Sequence, residues 1–243
     1  MARLTRRMAL EVLGSAGVAA VAAACGNSSP TSPSSTTSTT ATTTGGTTSS
    51  ACVVSPEETI GPYPDTTGML NNAAFYRQDV SEGKAGTPLA LNLTVVNVKA
   101  ACAPVADAAV EIWQCDASGN YSEYAQAGFN GVGQTFLRGL QRTNASGGVT
   151  FNTIYPGWYN GRATHIHVEV YVNGQRVKVT QIAFPESVSA QVYAQGVYAS
   201  KGQNTTTNSR DNVFSDGVND ELATITGSVA TGLTASLTVG ISV

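Results

Sequence analysis

The sequence predicts an all-β domain, an antiparallel sandwich or barrel-like core of short strands with long loops and little helix. Three observations predict it. Apolar residues alternate with polar ones in several separate stretches, Gly, Pro and Asn punctuate those stretches, and helical periodicity is confined to a stretch near Ser187 to Tyr198. In chain order, Leu89, Leu91, Leu93 and Val95 form one face of a first strand, and Val110 and Ile112 of a second. Ile166, Val168, Val170 and Val172 form a third, and Leu233, Leu237, Val239, Ile241 and Val243 a last one at the C-terminus. A period of two places such residues on one side of a pleated strand, so each stretch offers one face to a core. Asn173-Gly174 is a strong signal for a two-residue hairpin turn.

The alternation starts only after a long preamble. Arg3, Arg6 and Arg7 precede an apolar run from Val12 to Ala24 that is too short to span a bilayer. This is the pattern of an export signal over residues 1–24, and the Arg6-Arg7 pair suggests the twin-arginine type. Cys25 follows Ala22, Ala23 and Ala24, where a bacterial lipoprotein carries its lipidated cysteine. Residues 25–51 are nearly all Ser, Thr, Pro, Gly and Ala, which cannot build a core and read as a flexible tether. The expected arrangement is export, then anchoring at the cell surface through Cys25 or release outside the cell, with one folded domain over 52–243. In an oxidising compartment Cys52, Cys102 and Cys115 are disulfide candidates, and Cys52–Cys102 is the favoured pairing.

The formal charge is −3 over 243 residues, and no basic cluster follows the first few residues, which argues against nucleic acid as a partner. The chain has two histidines, and they are His165 and His167. In RATHIHVEVYV, residues 162–172, the apolar positions face one way, so both histidines face the other. Two imidazoles two residues apart on a strand are able to converge on one ion. The bland alternative is a solvated strand face. Upstream, the turn-rich run TIYPGWYNGR, residues 153–162, carries Tyr155, Trp158 and Tyr159, and a second loop carries Tyr121 and Tyr124. Glu169 apart, no carboxylate set lies near the histidines, so the remaining anionic candidates are phenolates; a cysteine would also serve, in a zinc or copper site, though cysteines of an exported domain are more often disulfides.

At these residues the sequence resembles the intradiol ring-cleavage dioxygenases, the family of protocatechuate 3,4-dioxygenase, and most of all their exported single-chain branch. The motifs that carry the resemblance are GPY at 61–63, VEIWQCDASGNYS at 110–122, the long run from Phe136 to Val170, and RDNVFSDG at 210–217. The resemblance implies one non-haem Fe(III) per chain, held by Tyr121, Tyr159, His165 and His167, with Tyr121 preferred to Tyr124. It implies that Arg162 stabilises charge on the reacting ring, that Gln181 stands beside the metal, and that Tyr63 and Trp158 line the substrate pocket. The implied reaction inserts both atoms of O2 into a catechol, breaks the bond between the two hydroxyl-bearing carbons and yields a muconate-type diacid, with Tyr159 also a base. The implied partners are small catechols and O2, with contact to a membrane only through the lipid anchor, and homo-oligomers occur in the family.

Two expectations compete with this reading. An exported lipoprotein that binds aromatic or carbohydrate ligands without iron chemistry would also carry loop aromatics, and a zinc or copper protein would also use the two histidines. Gln181 poses a problem of register. A strict hairpin at Asn173-Gly174 pairs residue 166 with 181 and turns Gln181 away from the histidines, whereas a bulge or a three-residue loop turns it back.

Overall fold

A computed structural model describes residues 52–243, so the export signal, the tether and Cys25 lie outside the described residues. Eleven strands and one α-helix make up the domain: β1 Pro88–Asn97, β2 Ala103–Pro104, β3 Ala109–Trp113, β4 Ala125–Gln126, β5 Phe129–Asn130, β6 Arg138–Arg142, β7 Gly148–Ile154, β8 His165–Val172, β9 Gln175–Ala183, α1 Glu186–Tyr193, β10 Thr224–Ser228 and β11 Gly232–Ile241. The helix and the short helical turn Gly196–Tyr198 fall where the sequence showed helical periodicity.

The strands form a sandwich. One sheet has the order β10-β11-β1-β2 with β7 also paired to β1, and the other has the order β6-β3-β8-β9. Leu89, Leu91, Leu93, Val95, Phe151 and Val239 of the first sheet meet Val110, Ile112, Ile166, Val168, Val170 and Ile182 of the second in one buried cluster. At about 25 cal/mol per Å2 of apolar surface removed from water, this interleaved layer is the main stabilising term of the domain. One pair departs from the antiparallel expectation: β1 and β11 run parallel, Leu89 beside Leu233 through Asn97 beside Ile241. Alternation is blind to strand direction, which the route of the chain decides. Val243, expected in the last strand, lies beyond its end and is 44% exposed.

In the second sheet β3 and β8 are buried on both faces over most of their length. The outer face, which a two-layer sandwich would give to water, is covered by the segment that precedes β1. Met69 and Phe75 pack with Ala109 and Leu140, and Ile60 and Tyr63 pack with Trp113 and Tyr121. The segment is tied down along its length. Cys52 is disulfide-bonded to Cys102 with Cα atoms 5.8 Å apart, Ser55 N–H donates to the Gly240 carbonyl at 2.9 Å, and Glu58 N–H donates to that of Val179 at 3.0 Å. Cys115 is a free, buried thiol.

Of the two ways to turn Gln181 back toward the histidines, the hairpin takes the bulge. Asn173 and Gly174 both have positive φ, 52° and 75°, and Val172 pairs with Gln175, as a strict two-residue turn requires. A bulge follows at once: Tyr171 pairs with Arg176 but Val170 with Lys178, so Val177 is the extra residue. His167 therefore pairs with Gln181, which the bulge carries to the histidine face.

Candidate metal centre

The outer face of β8 presents His165 and His167, 3% and 0% exposed. His165 Nδ1 lies 2.7 Å from the Ala163 carbonyl, an acceptor only, so Nδ1 carries the proton and Nε2 keeps its lone pair. The His167 ring stacks on Trp113, its cross-strand partner, with centroids 4.6 Å apart and planes 1° from parallel. Gly61 lies against the same ring, where a Cβ atom would stand 3.0 Å from His167 Cε1 and where φ is +69°. Only glycine meets both conditions without strain. The two Nε2 atoms are 3.2 Å apart.

Two tyrosines close on the same point. Tyr121 comes from the loop after β3, Tyr159 from the turn before β8, and their hydroxyls lie 3.5 Å and 3.4 Å from His165 Nε2. The two loops are pressed together at Gly157, where a Cβ would stand 2.2 Å from the Asp116 carbonyl oxygen. That contact accounts for the glycine in the PG-x-Y turn. Tyr63 stacks on Tyr121 at 4.6 Å and meets Tyr159 edge-on at 6.0 Å. Tyr124 is directed elsewhere, its hydroxyl donating to the Pro64 carbonyl at 2.7 Å. Trp158, a pocket candidate, also makes its contacts elsewhere: its indole N–H donates to the Gly202 carbonyl at 3.0 Å and its ring carries the Lys201 ammonium at 4.8 Å.

Burial dominates the electrostatics. Desolvation, then the Arg162 charge, holds the His165 pKa down at about 3, and desolvation with His165 and Arg162 holds His167 well below its ordinary value. Both imidazoles stay neutral with lone pairs available. Desolvation pushes Tyr159 up to about 12 and Tyr121 well above 10. The phenols therefore ionise here only if a cation arrives to take the proton's place. Desolvation likewise pushes the Cys115 thiol up to about 12, so it packs beside Tyr121 as an apolar group.

Arg162 Nη1 lies 3.5 Å from His165 Nε2, its Nη2 donates to Gln181 Oε1, and Gln181 Nε2 donates to the Thr59 carbonyl at 2.8 Å. Two further residues support the site without having been singled out in the sequence. Arg138, 0% exposed, donates at 3.0 Å to the Ser122 hydroxyl, the Ser122 carbonyl and the Tyr63 carbonyl, which braces the backbone around Tyr121 and Tyr63. Its signal was a lone charge in the apolar run FLRGL. Asp211, in the RDNVFSDG motif, accepts from Arg162 Nε. Among the described residues no group of three or more His, Cys, Asp or Glu side chains is placed to hold a metal, so anionic donors for this point are the tyrosines.

A dioxygenase family model matches residues 60–213. Among solved structures, an intradiol ring-cleavage dioxygenase from Tetranychus urticae is 31% identical with a TM-score of 0.69, over 79% of this chain and 95% of that one. The dioxygenase domain of a dioxygenase–carbohydrate-binding protein fusion from the cellulolytic bacterium Streptomyces sp. SirexAA-E is 25% identical with a TM-score of 0.58, over 79% and 99%. 3-Chlorocatechol 1,2-dioxygenase from Rhodococcus opacus 1CP, 20% identical with a TM-score of 0.52 over 77% and 72%, shares the fold. No curated protein sequence matches the chain.

Proposed function

The chain belongs to the intradiol ring-cleavage dioxygenases, and we propose that it opens catechol rings with O2 at a single non-haem Fe(III) held by Tyr121, Tyr159, His165 and His167. The observation that carries the reading is the convergence of four donor atoms, with 3.2, 3.4 and 3.5 Å from His165 Nε2 to the other three. Ligands at about 2 Å from one ion, at angles of about 90–120°, stand about 2.9–3.6 Å apart, so the spacing fits a shared ion. The donor chemistry fits a ferric ion in particular. Two phenolates and a hydroxide balance three positive charges, and the imidazoles are already neutral. A binding protein without iron chemistry has no use for four such donors on one point, and the convergence supports catalysis over that alternative.

Ferric iron, when bound, would supply a Lewis acid for a catecholate to chelate, one that makes the ring reactive toward O2. The chain supplies the rest. Tyr159, ionised on the metal, would accept a proton at Oη from a catechol hydroxyl as the substrate enters. Arg162 directs Nη1 toward the reacting ring and offsets charge that develops on it. Gln181 holds Arg162 from one side, while Tyr63 stacks on Tyr121 and Trp113 on His167, so that apolar ring surface backs two of the four donors. The product is an acyclic muconate-type diacid. Incubation of the iron-loaded protein with catechol and 18O2 tests this: the diacid is expected to gain two labelled atoms, whereas no O2 uptake, or one labelled atom, contradicts the proposal.

The basic n-region, the apolar run and Cys25 support an exported enzyme anchored by lipid through its tether. Cell fractionation tests the location, and activity confined to the cytoplasmic fraction contradicts it.

A further inference from the structure

We infer that Asp211 is the positioning residue for Arg162, and that through it the loop 210–217 sets the aim of the one guanidinium nitrogen left for the reacting ring. The inference rests on the proposed ring-cleavage reaction. The Asp211 side chain is 0% exposed and that of Arg162 is 12% exposed. Arg162 Nε donates to both carboxylate oxygens, at 3.0 and 2.8 Å. The same oxygens accept the backbone N–H of Val213 at 2.9 Å and of Ala163 at 2.7 Å. The carboxylate is thus satisfied away from water, by one charged donor and two backbone donors. Phe214 of the same loop packs its ring 5.7 Å from the Arg162 guanidinium carbon, and Asn204 donates to the Arg162 carbonyl at 3.0 Å.

The donors of Arg162 can be followed one by one. Nε is committed to Asp211 and Nη2 to Gln181, while Nη1 points to His165 Nε2 at 3.5 Å, the point where the phenols and imidazoles converge. A long, flexible side chain held at two of its three nitrogens presents the third in one direction before substrate arrives, so little reorganisation remains for the reaction. The charge matters as well. A guanidinium beside a trivalent cation repels it, and the Asp211 carboxylate offsets that repulsion while leaving the N–H groups as donors.

The test uses the full chain and begins without metal. In a 1H–15N spectrum of the iron-free protein, the Arg162 Nε–H resonance, identified by its loss in Arg162→Met, is expected to be resolved and slow to exchange with water. In Asp211→Asn it is expected to shift and to exchange at least about 10-fold faster. An unchanged resonance overturns the inference. In the iron-loaded protein, Asp211→Asn is expected to lower kcat by at least about 10-fold, with KM for catechol within about 3-fold and the visible band unmoved. In an Arg162→Met background the same change is expected to do nothing further, within about 2-fold. Independent, multiplicative losses in that background show that Asp211 acts otherwise and overturn the inference. Should Asp211→Asn not fold, Asp211→Glu keeps the charge but displaces the guanidinium, and wild-type kcat in that variant overturns the inference too. A wild-type protein that takes up no iron sinks the ring-cleavage reading instead, and the Nε–H resonance still decides whether Asp211 fixes Arg162.

Discussion

Gly61 joins the covering segment to the metal site at one atom's distance. With φ at +69° and a Cβ position 3.0 Å from His167 Cε1, Gly61→Ala combines backbone strain with a push on an imidazole ring stacked on Trp113. It is expected to destabilise the protein by about 1–3 kcal/mol and to weaken iron retention, measured by thermal melting and by metal content after dialysis. Tyr159→Phe removes one phenol and leaves the packing, so the Tm should hold while the visible band weakens. At this scale much of the site was legible. His165 and His167 share a face by strand period alone, and the resemblance singled out Tyr121, Tyr159 and Arg162, which the fold brings together. Asp211 and Arg138 were not legible, although both lie in quoted motifs, because each acts across 49 residues to Arg162 and 16 to Ser122, and a charge's partner is a tertiary fact. Trp158, which the resemblance put in the substrate pocket, gives its indole N–H to the Gly202 carbonyl, a partner 44 residues away that sequence reading did not name.

At the scale of elements, the face of β3 and β8 that carries Trp113 and His167 also carries two acids side by side. Glu111 pairs directly with Glu169, and both are buried, at 3% and 5% exposed. Glu169 accepts from Arg176 at 2.8 Å and from the Tyr171 hydroxyl. Desolvation, then the Glu169 charge, raises the Glu111 pKa to about 8. The folded pKa lies above the unfolded one, so the contribution of a neutral Glu111 is full below about pH 4.5 and is lost as pH rises toward 8. Glu111→Gln removes that titration. Its Tm should exceed that of the wild type at pH 8 and match it near pH 4.5, by about 2–4 °C per kcal/mol recovered, and an equal difference at both pH values would contradict the assignment. Strand positions were readable from alternation, whereas strand partners were not: the parallel β1–β11 pair and the bulge at Val177 depend on how the chain returns. The bulge has the larger consequence, since without it a strict turn at Asn173-Gly174 would face Gln181 into the core side.

For the whole molecule, a sandwich supplies stability, and a strap laid over its outer face closes the site. The strap begins at the Cys52–Cys102 disulfide, is held by Lys178 through the Ser55 carbonyl at 2.8 Å and Glu57 at 2.9 Å, and reaches the site at Gly61 and Tyr63. Because several contacts intervene, Cys52→Ser with Cys102→Ser should cost about 2–4 kcal/mol of stability yet leave the iron site's spectrum intact. Loss of the colour with retained fold would show that the bond, rather than the contacts between, holds the strap on the site. This architecture was hidden from sequence reading because the strap lacks strand periodicity; its GPY motif marked a place, not a path. Whether two tyrosines and two histidines hold ferric iron for a catechol to chelate is decided by one measurement. It is the visible spectrum of the iron-reconstituted protein before and after catechol is added without O2. A burgundy tyrosinate-to-iron(III) band that shifts on catechol binding is expected. A protein that remains colourless and free of iron after ferric reconstitution would contradict it.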